Sequence, residues 1–321
     1  MNRPSPPLLS VVVPVYRGAD TVGPLVERLN ALDVEGGMEI ILVNDGSPDN
    51  SADVCRALVA VQPDRVPLVF VNLARNFGEH NAVMAGYRQS QGRFVVNIDD
   101  DFQNPPEEIL RVLAHARAGS FDVVYTSFGD KSHESWRNLG SWLNGKLADW
   151  LLDKPRGVYL SSFRCLSRLV VDQVIRYEGS YPYIDGLIFQ VTQNVGTLQV
   201  RHDPRQQGAS GYTMRKLVRL ALNMMVNFSV MPLRLATFLG FLIAGFGFLG
   251  VVWLTVEYFL LHQPPGWTTI MVAMAVFSGA QLVILGIAGE YLGRMHLNLN
   301  RRPQFVVREV HRSGAPAGTP Q

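Results

Sequence analysis

Apolar, β-branched runs alternate with helix-length stretches through residues 8–128. LLSVVVPVY precedes a helix near residues 21–32, MEIILVND one near 51–61, VPLVFVNLA one near 79–90 and RFVVNIDD one near 106–118; FDVVYTSF closes the series. These strands lack polar alternation, as strands covered on both faces do, and the helices between them supply the crossovers that a parallel sheet requires. The pattern predicts a doubly wound α/β domain.

A different organisation follows. No charged residue occurs from Leu235 to Val256, nor from Trp267 to Gly289. Each run is close to the roughly 20 apolar residues that span a bilayer core, so two transmembrane helices are expected at about 235–257 and 267–290. A pair of buried core helices is the plain alternative. Glycine-rich runs such as LGFLIAGFGFLG, however, suit close helix packing in lipid and fit a homo-oligomer. The connection EYFLLHQPPGW has no Lys or Arg, whereas Arg215, Lys216, Arg219 and Arg234 precede the pair and Arg294, Arg301, Arg302, Arg308 and Arg312 follow it. The positive-inside rule then places the catalytic domain and both termini in the cytoplasm, at the inner membrane. TMRKLVRLALNMMVNF sets basic residues on one side and apolar ones on the other, as an interfacial helix does, and as an ordinary amphipathic core helix also does. The chain thus divides into an α/β domain at 1–212, an interfacial region at 213–233, two spans within 234–293 and a basic cytoplasmic tail at 294–321. The end of that tail, SGAPAGTPQ, reads as disordered.

Composition narrows the classes. A chain of 321 residues, 47% hydrophobic and 17% charged, can bury a full core. A net charge of +2 is too small for a general polyanion partner, which argues against nucleic acid. Cys55 and Cys165 lie far apart and make no metal-ligand spacing; they read as reduced structural thiols. The opening MNRPSPPLL lacks the small-residue cleavage site of a secretory signal, so the N-terminal half is expected to stay in the cytoplasm.

Ligands of open parallel sheets sit outside the carboxyl ends of the strands. The residues there are Pro14 to Tyr16, Asn44 to Ser47, Arg75 to Gly78 and Asp99 to Gln103. In NIDDDFQNPPEE three carboxylates crowd one strand end, where a divalent ion is the natural compensation. On an extended segment alternate side chains point the same way, so Asp99 and Asp101 can share a hard cation while Asp100 faces elsewhere. The same string also fits a solvated turn leading into a helix start at Pro105 to Glu108. Asp45 of VNDGSPDNS can accept from a nucleoside, although such a string alone also describes a simple turn before an N-cap. No G-x-G-x-x-G follows the first strand and no G-x-x-x-x-G-K-S/T occurs, which argues against a dinucleotide dehydrogenase or a P-loop NTPase.

PVY after the first strand, NDGS after the second, DDDFQNPPEE after the fourth, SSFR at 161–164 and RQQGASGY at 205–212, followed by two spans, together resemble the family 2 glycosyltransferases. The resemblance covers nearly the whole chain. Within the family it is strongest to the polyprenyl-phosphate branch of dolichyl-phosphate mannose synthases, bactoprenol glucosyltransferases and undecaprenyl-phosphate aminoarabinose transferases. It implies a GT-A fold and an inverting, metal-dependent transfer from a nucleotide-diphosphate sugar (UDP- or GDP-linked) to a polyprenyl phosphate such as undecaprenyl phosphate, at the lipid bilayer. On that pattern Asp99 and Asp101 bind Mg²⁺ or Mn²⁺ and the donor diphosphate with Gln103 beside them, and Pro14, Tyr16 and Asp45 line the nucleoside pocket. Arg205, Ser210 and Tyr212 match the family's phosphate-side motif, and Arg164 would lie near the acceptor phosphate.

The sequence departs from the pattern at four places. Arg17 and Gly18 stand where Asn-Glu is usual, Asn44 replaces the first Asp of Asp-Asp-Gly-Ser, Ser162 replaces an Asp before Phe-Arg, and Gly211 replaces a Lys. Loss of the Asp need not stop transfer, since a phosphate monoester with a second pKa near 6 is already anionic at neutral pH and needs no general base. A processive polysaccharide synthase is the rival in the same class, weakened by the absence of Gln-x-x-Arg-Trp and by too few spans. A membrane subunit that only binds nucleotide is the non-enzymatic rival.

Overall fold

The computed structural model describes residues 6–63, 65–128, 158–179, 182–201, 203, 231–261, 266–299 and 303–314. They fall into two compact units, 1–211 with 302–321, and 212–301.

The first unit is built on an eight-stranded sheet. Strands β1 (Leu9–Val15), β2 (Met38–Asn44), β3 (Leu68–Leu73) and β4 (Phe94–Asn97) run parallel, joined by helices α1 (Val22–Asn30), α2 (Ser51–Val61) and α3 (Glu79–Gln89). Every residue of β2, β3 and β4 is buried, which is why these strands read as unbroken apolar runs rather than as alternation. On α1 the buried side chains are Val22, Leu25, Val26 and Leu29, one helical stripe facing the sheet. Helix α4 (Glu108–Ala118) does the same with Ile109, Val112, Leu113 and Ala116 and leads to β5 (Val123–Phe128).

Beyond β5 the sheet is mixed rather than wholly parallel. The order is β7 (Val195–Val200), β5, β6 (Arg164–Ser167), β4, β1, β2, β3 and β8 (Val307–Arg312). Strand β6 lies antiparallel between β4 and β5. It is followed by α5 (Arg168–Val174), α6 (Ile184–Val191) and β7, which pairs parallel with β5. Part of the segment expected to be a tail forms β8, antiparallel to β3 at the sheet edge. Because β2 and β3 extend the sheet to one side of β1 and β4 lies on the other, the chain reverses direction between β1 and β4, and a crevice opens above their carboxyl ends.

The second unit contains two long helices, α7 (Met231–Leu261) and α8 (Trp267–Leu299). Within them Leu233–Glu257 and Val276–Gly293 are long and apolar enough to cross a membrane, with mean hydropathy 2.3 and 1.4. The second value is lower because Ser278, Gln281 and Glu290 interrupt the apolar run.

Candidate active site

The register of β4 and β6 builds the floor of the crevice. Asn97 pairs with Arg164 in the antiparallel register, so Asp99, two residues after β4, comes opposite Ser162, two residues before β6, whose hydroxyl donates to Asp99 Oδ2 at 2.6 Å. The extended backbone ends there. Asp100 and Asp101 lie in a turn, with Asp101 Oδ1 accepting the Gln103 N–H at 3.1 Å and Phe102 in the left-handed region at φ 58°. Strict strand alternation therefore does not separate the three aspartates; the turn does. Asp100 points back to the β1–α1 loop, where Thr21 Oγ1 donates to its Oδ2 at 3.5 Å and only the missing side chain of Gly18 leaves it room. The turn is braced from α1 by Arg28, which pairs with Glu107 at 2.7 Å and lies over the Phe102 ring.

A carboxylate that the sequence motifs do not single out joins this group. Glu79 opens α3 and lies within electrostatic reach of Asp99 and Asp101. Solvent reaches it, yet the protein packed around it, followed by the charge of Asp99, pushes its pKa up to about 7. Burial, then Asp99 and Asp101, likewise pushes Asp100 up to about 7. Among the described residues no three His, Cys, Asp or Glu side chains converge to form a self-sufficient metal site. The cluster is nevertheless hard oxygen, and burial, followed by the charges of Asp99 and Asp101, raises the proton affinity of the adjacent Glu79 and Asp100. Asp99 and Asp101 thus suit a divalent ion that takes its remaining ligands from phosphate and water. Gln103 adjoins them through its backbone, its N–H on Asp101 and its carbonyl accepting the Asp203 N–H at 2.9 Å.

Asp45, at the end of β2, is almost fully buried and already engaged. Its Oδ1 accepts the Phe77 N–H at 2.7 Å and its Oδ2 the Gly78 N–H at 2.9 Å, tying the β3–α3 loop to the β2–α2 loop. Desolvation raises its pKa, with the two N–H donors acting against this. The two loops touch at Gly46, where φ is 58° and an added Cβ would lie 2.3 Å from the Arg75 carbonyl carbon. Pro14 is half-buried, and Tyr16 is exposed beside the Arg17 guanidinium.

Arg164 is not at the surface of the crevice. It is buried beneath it, paired with Asp185 of α6, and Tyr125 donates to the same carboxylate at 2.8 Å. His80 adjoins this group with its ring edge-on to Tyr183; burial lowers its pKa to about 4, so it is neutral at physiological pH. The charge of Arg164 balances Asp185, which fixes α6 against the sheet, and it also acts on Glu79. Arg205, Ser210 and Tyr212, with most of the expected interfacial helix, lie outside the described residues.

A crossover-linked parallel core, a crevice at the chain reversal and an acidic turn after the fourth strand define a GT-A glycosyltransferase domain. Residues 10–172 match the family described as Glycosyl transferase family 2, and the chain belongs to that family. It is 33% identical over 321 residues to the undecaprenyl-phosphate 4-deoxy-4-formamido-L-arabinose transferase of Pseudomonas fluorescens, covering 97% of this chain and 93% of that protein. The transferase of the same name from Aeromonas hydrophila is 32% identical, with 98% and 97% covered. Among solved structures, glucosyl-3-phosphoglycerate synthase from Mycobacterium tuberculosis, in complex with Mn²⁺, uridine diphosphate and phosphoglyceric acid, shares the fold. Its TM-score is 0.50 at 16% identity, over 68% of this chain and 76% of that one.

Proposed function

We propose that this glycosyltransferase moves a sugar from a nucleotide-diphosphate donor to a polyprenyl phosphate at the cytoplasmic face of a membrane, with inversion and with a divalent cation. The observation that carries this reading is the extent of the likeness. Relatives named for transfer to undecaprenyl phosphate align with the catalytic unit and the apolar helix pair together. The chain on both sides of the helix pair belongs to one sheet, since β7 precedes α7 and β8 follows α8. If the helices cross a bilayer they therefore cross it an even number of times, in keeping with a hairpin that has both ends on one side.

In this mechanism Asp99 and Asp101 hold the cation, Mg²⁺ or Mn²⁺, and the Ser162 hydroxyl orients the Asp99 carboxylate. When bound, the ion supplies Lewis-acid neutralisation of the departing diphosphate. Asp45 acts through the loop it clamps, and Tyr16 and Pro14 flank the nucleoside. Arg164 works from below, fixing Asp185 and the crevice floor rather than touching the acceptor. The acceptor phosphate arrives ionised, so the protein's work is alignment and charge stabilisation. Incubating detergent-solubilised protein with undecaprenyl phosphate, Mg²⁺ or Mn²⁺ and a panel of labelled UDP- and GDP-sugars tests it. A charged lipid product, abolished by EDTA and restored by metal, is expected. A polymer would indicate a processive synthase, and no product with any donor would count against transfer.

A further inference from the structure

We propose that Glu309, on the strand that follows both apolar helices, is a positioning residue of the nucleoside pocket, acting through a hydrogen-bond relay whose direction it dictates. The inference rests on the donor reading above for its functional meaning, but the relay itself is structural. Glu309 Oε1 accepts from Asn72 Nδ2 at 2.8 Å and from Arg56 Nη2 at 2.8 Å, and its Oε2 lies 3.0 Å from His311 Nε2. These partners hold it ionised: the His311 bond first, against partial desolvation and with help from Arg56 and Asn72, draws its pKa down to about 2. An ionised carboxylate only accepts. Asn72 must therefore turn its amide nitrogen to Glu309 and its oxygen inward, where it accepts from Asn44 Nδ2 at 2.8 Å. The Asn44 oxygen is then left facing the Ser47 N–H, at 3.4 Å, and Ser47 Oγ accepts the Arg17 N–H at 3.1 Å.

A directed chain thus runs from the sheet edge through the ends of β3 and β2 to the loop after β1. Asn44 and Asn72 are both buried, so water cannot rescue an amide turned the wrong way. The two ends of an asparagine amide have nearly the same shape, and only the polarity of the partners decides its orientation. Position 44 is where the family resemblance leads one to expect Asp. A carboxylate there would need the Asn72 nitrogen, and the Asn72 oxygen would then meet the Glu309 carboxylate, acceptor against acceptor. Asn44 and Glu309 form a matched pair across β3.

The test is a double-mutant cycle on the full chain in detergent, with UDP and GDP as probes by calorimetry and with thermal unfolding alongside. Asn44→Asp is expected to weaken the nucleotide that binds by about tenfold, the cost of one buried bond left unmade. Glu309→Gln alone, which still offers an oxygen to Asn72, is expected to change affinity by less than about threefold. The double variant is expected to return to within about threefold of the parent, because the new amide can turn its nitrogen to Asn72 and reverse the relay. The solvent-accessible Arg56, which shares that oxygen in the parent, keeps its pairing with Asp53. Its loss of Tm should be smaller than the sum of the two single losses. Parental affinity in Asn44→Asp, or a double variant no better than Asn44→Asp, would overturn the role in the pocket. If the parent binds neither UDP nor GDP the donor reading fails, and additive Tm losses would then overturn the relay as well.

Discussion

Asp99 and Asp100 are adjacent in sequence but make different attachments, one to Ser162 on β6 and the other to Thr21 before α1. Substitutions in this string should therefore separate by effect. Asp101→Asn is expected to lower turnover about a thousandfold at saturating divalent ion, about 4 kcal/mol of transition-state stabilisation, with little change in Tm. Asp100→Asn should keep most of the turnover. In EDTA at pH 8, above the pKa of about 7 that Asp100 has in the fold, the same change should raise Tm, because it removes a buried charge repelled by Asp99 and Asp101. Equal losses of turnover in the two variants would mean that the turn does not separate their roles.

At the scale of elements, loop contacts and the edge strand carry the tests. Gly46→Ala is expected to cost about 2 kcal/mol or more, since its left-handed backbone and the Arg75 main chain both resist a Cβ. A drop in Tm with weakened nucleotide binding would report it. Glu309 sets a pH dependence for β8. Its folded pKa of about 2 lies below the roughly 4.3 of an unfolded glutamate, so its contribution is present above about pH 4 and is lost as pH falls towards 2. Melting curves from pH 6 to 2 should show that fall, and Glu309→Gln should flatten it. Strands β1 to β5 and helices α1 to α4 were legible from sequence because burial on both faces, or on one helical stripe, leaves long apolar patterns. β6 reads RCLS, β7 VGTLQV and β8 VREVHR, each interrupted by polar or small residues, so none of them announces itself by hydrophobicity. The acidic turn was legible in the same way, as local chemistry. The engagement of Asp45 by Phe77 and Gly78, and of Arg164 by Asp185, depends on partners distant in sequence and was not.

For the whole molecule, β8 changes what counts as the catalytic domain. From sequence, the α/β domain is expected to lie within residues 1–212; in the fold a cut after Met231 removes the strand that covers the edge of β3 and supplies Glu309. Truncation at Met231 should therefore give a protein with a lowered Tm and a tendency to aggregate through the exposed edge. Replacing residues 212–301 with a long flexible linker, so that 302–321 is kept, should restore a monodisperse unit with the parental melting transition of that domain. Equal behaviour of the two forms in thermal and light-scattering assays would show that β8 is dispensable. The position of this strand also bears on biogenesis. A nascent chain still on the ribosome presents β1 to β7 early, but β8 emerges only after both apolar helices have been synthesised and offered to the membrane. The sheet edge and the relay from Glu309 to the loop after β1 stay unfinished until then, so under the proposed function the donor pocket is completed no sooner than both apolar helices.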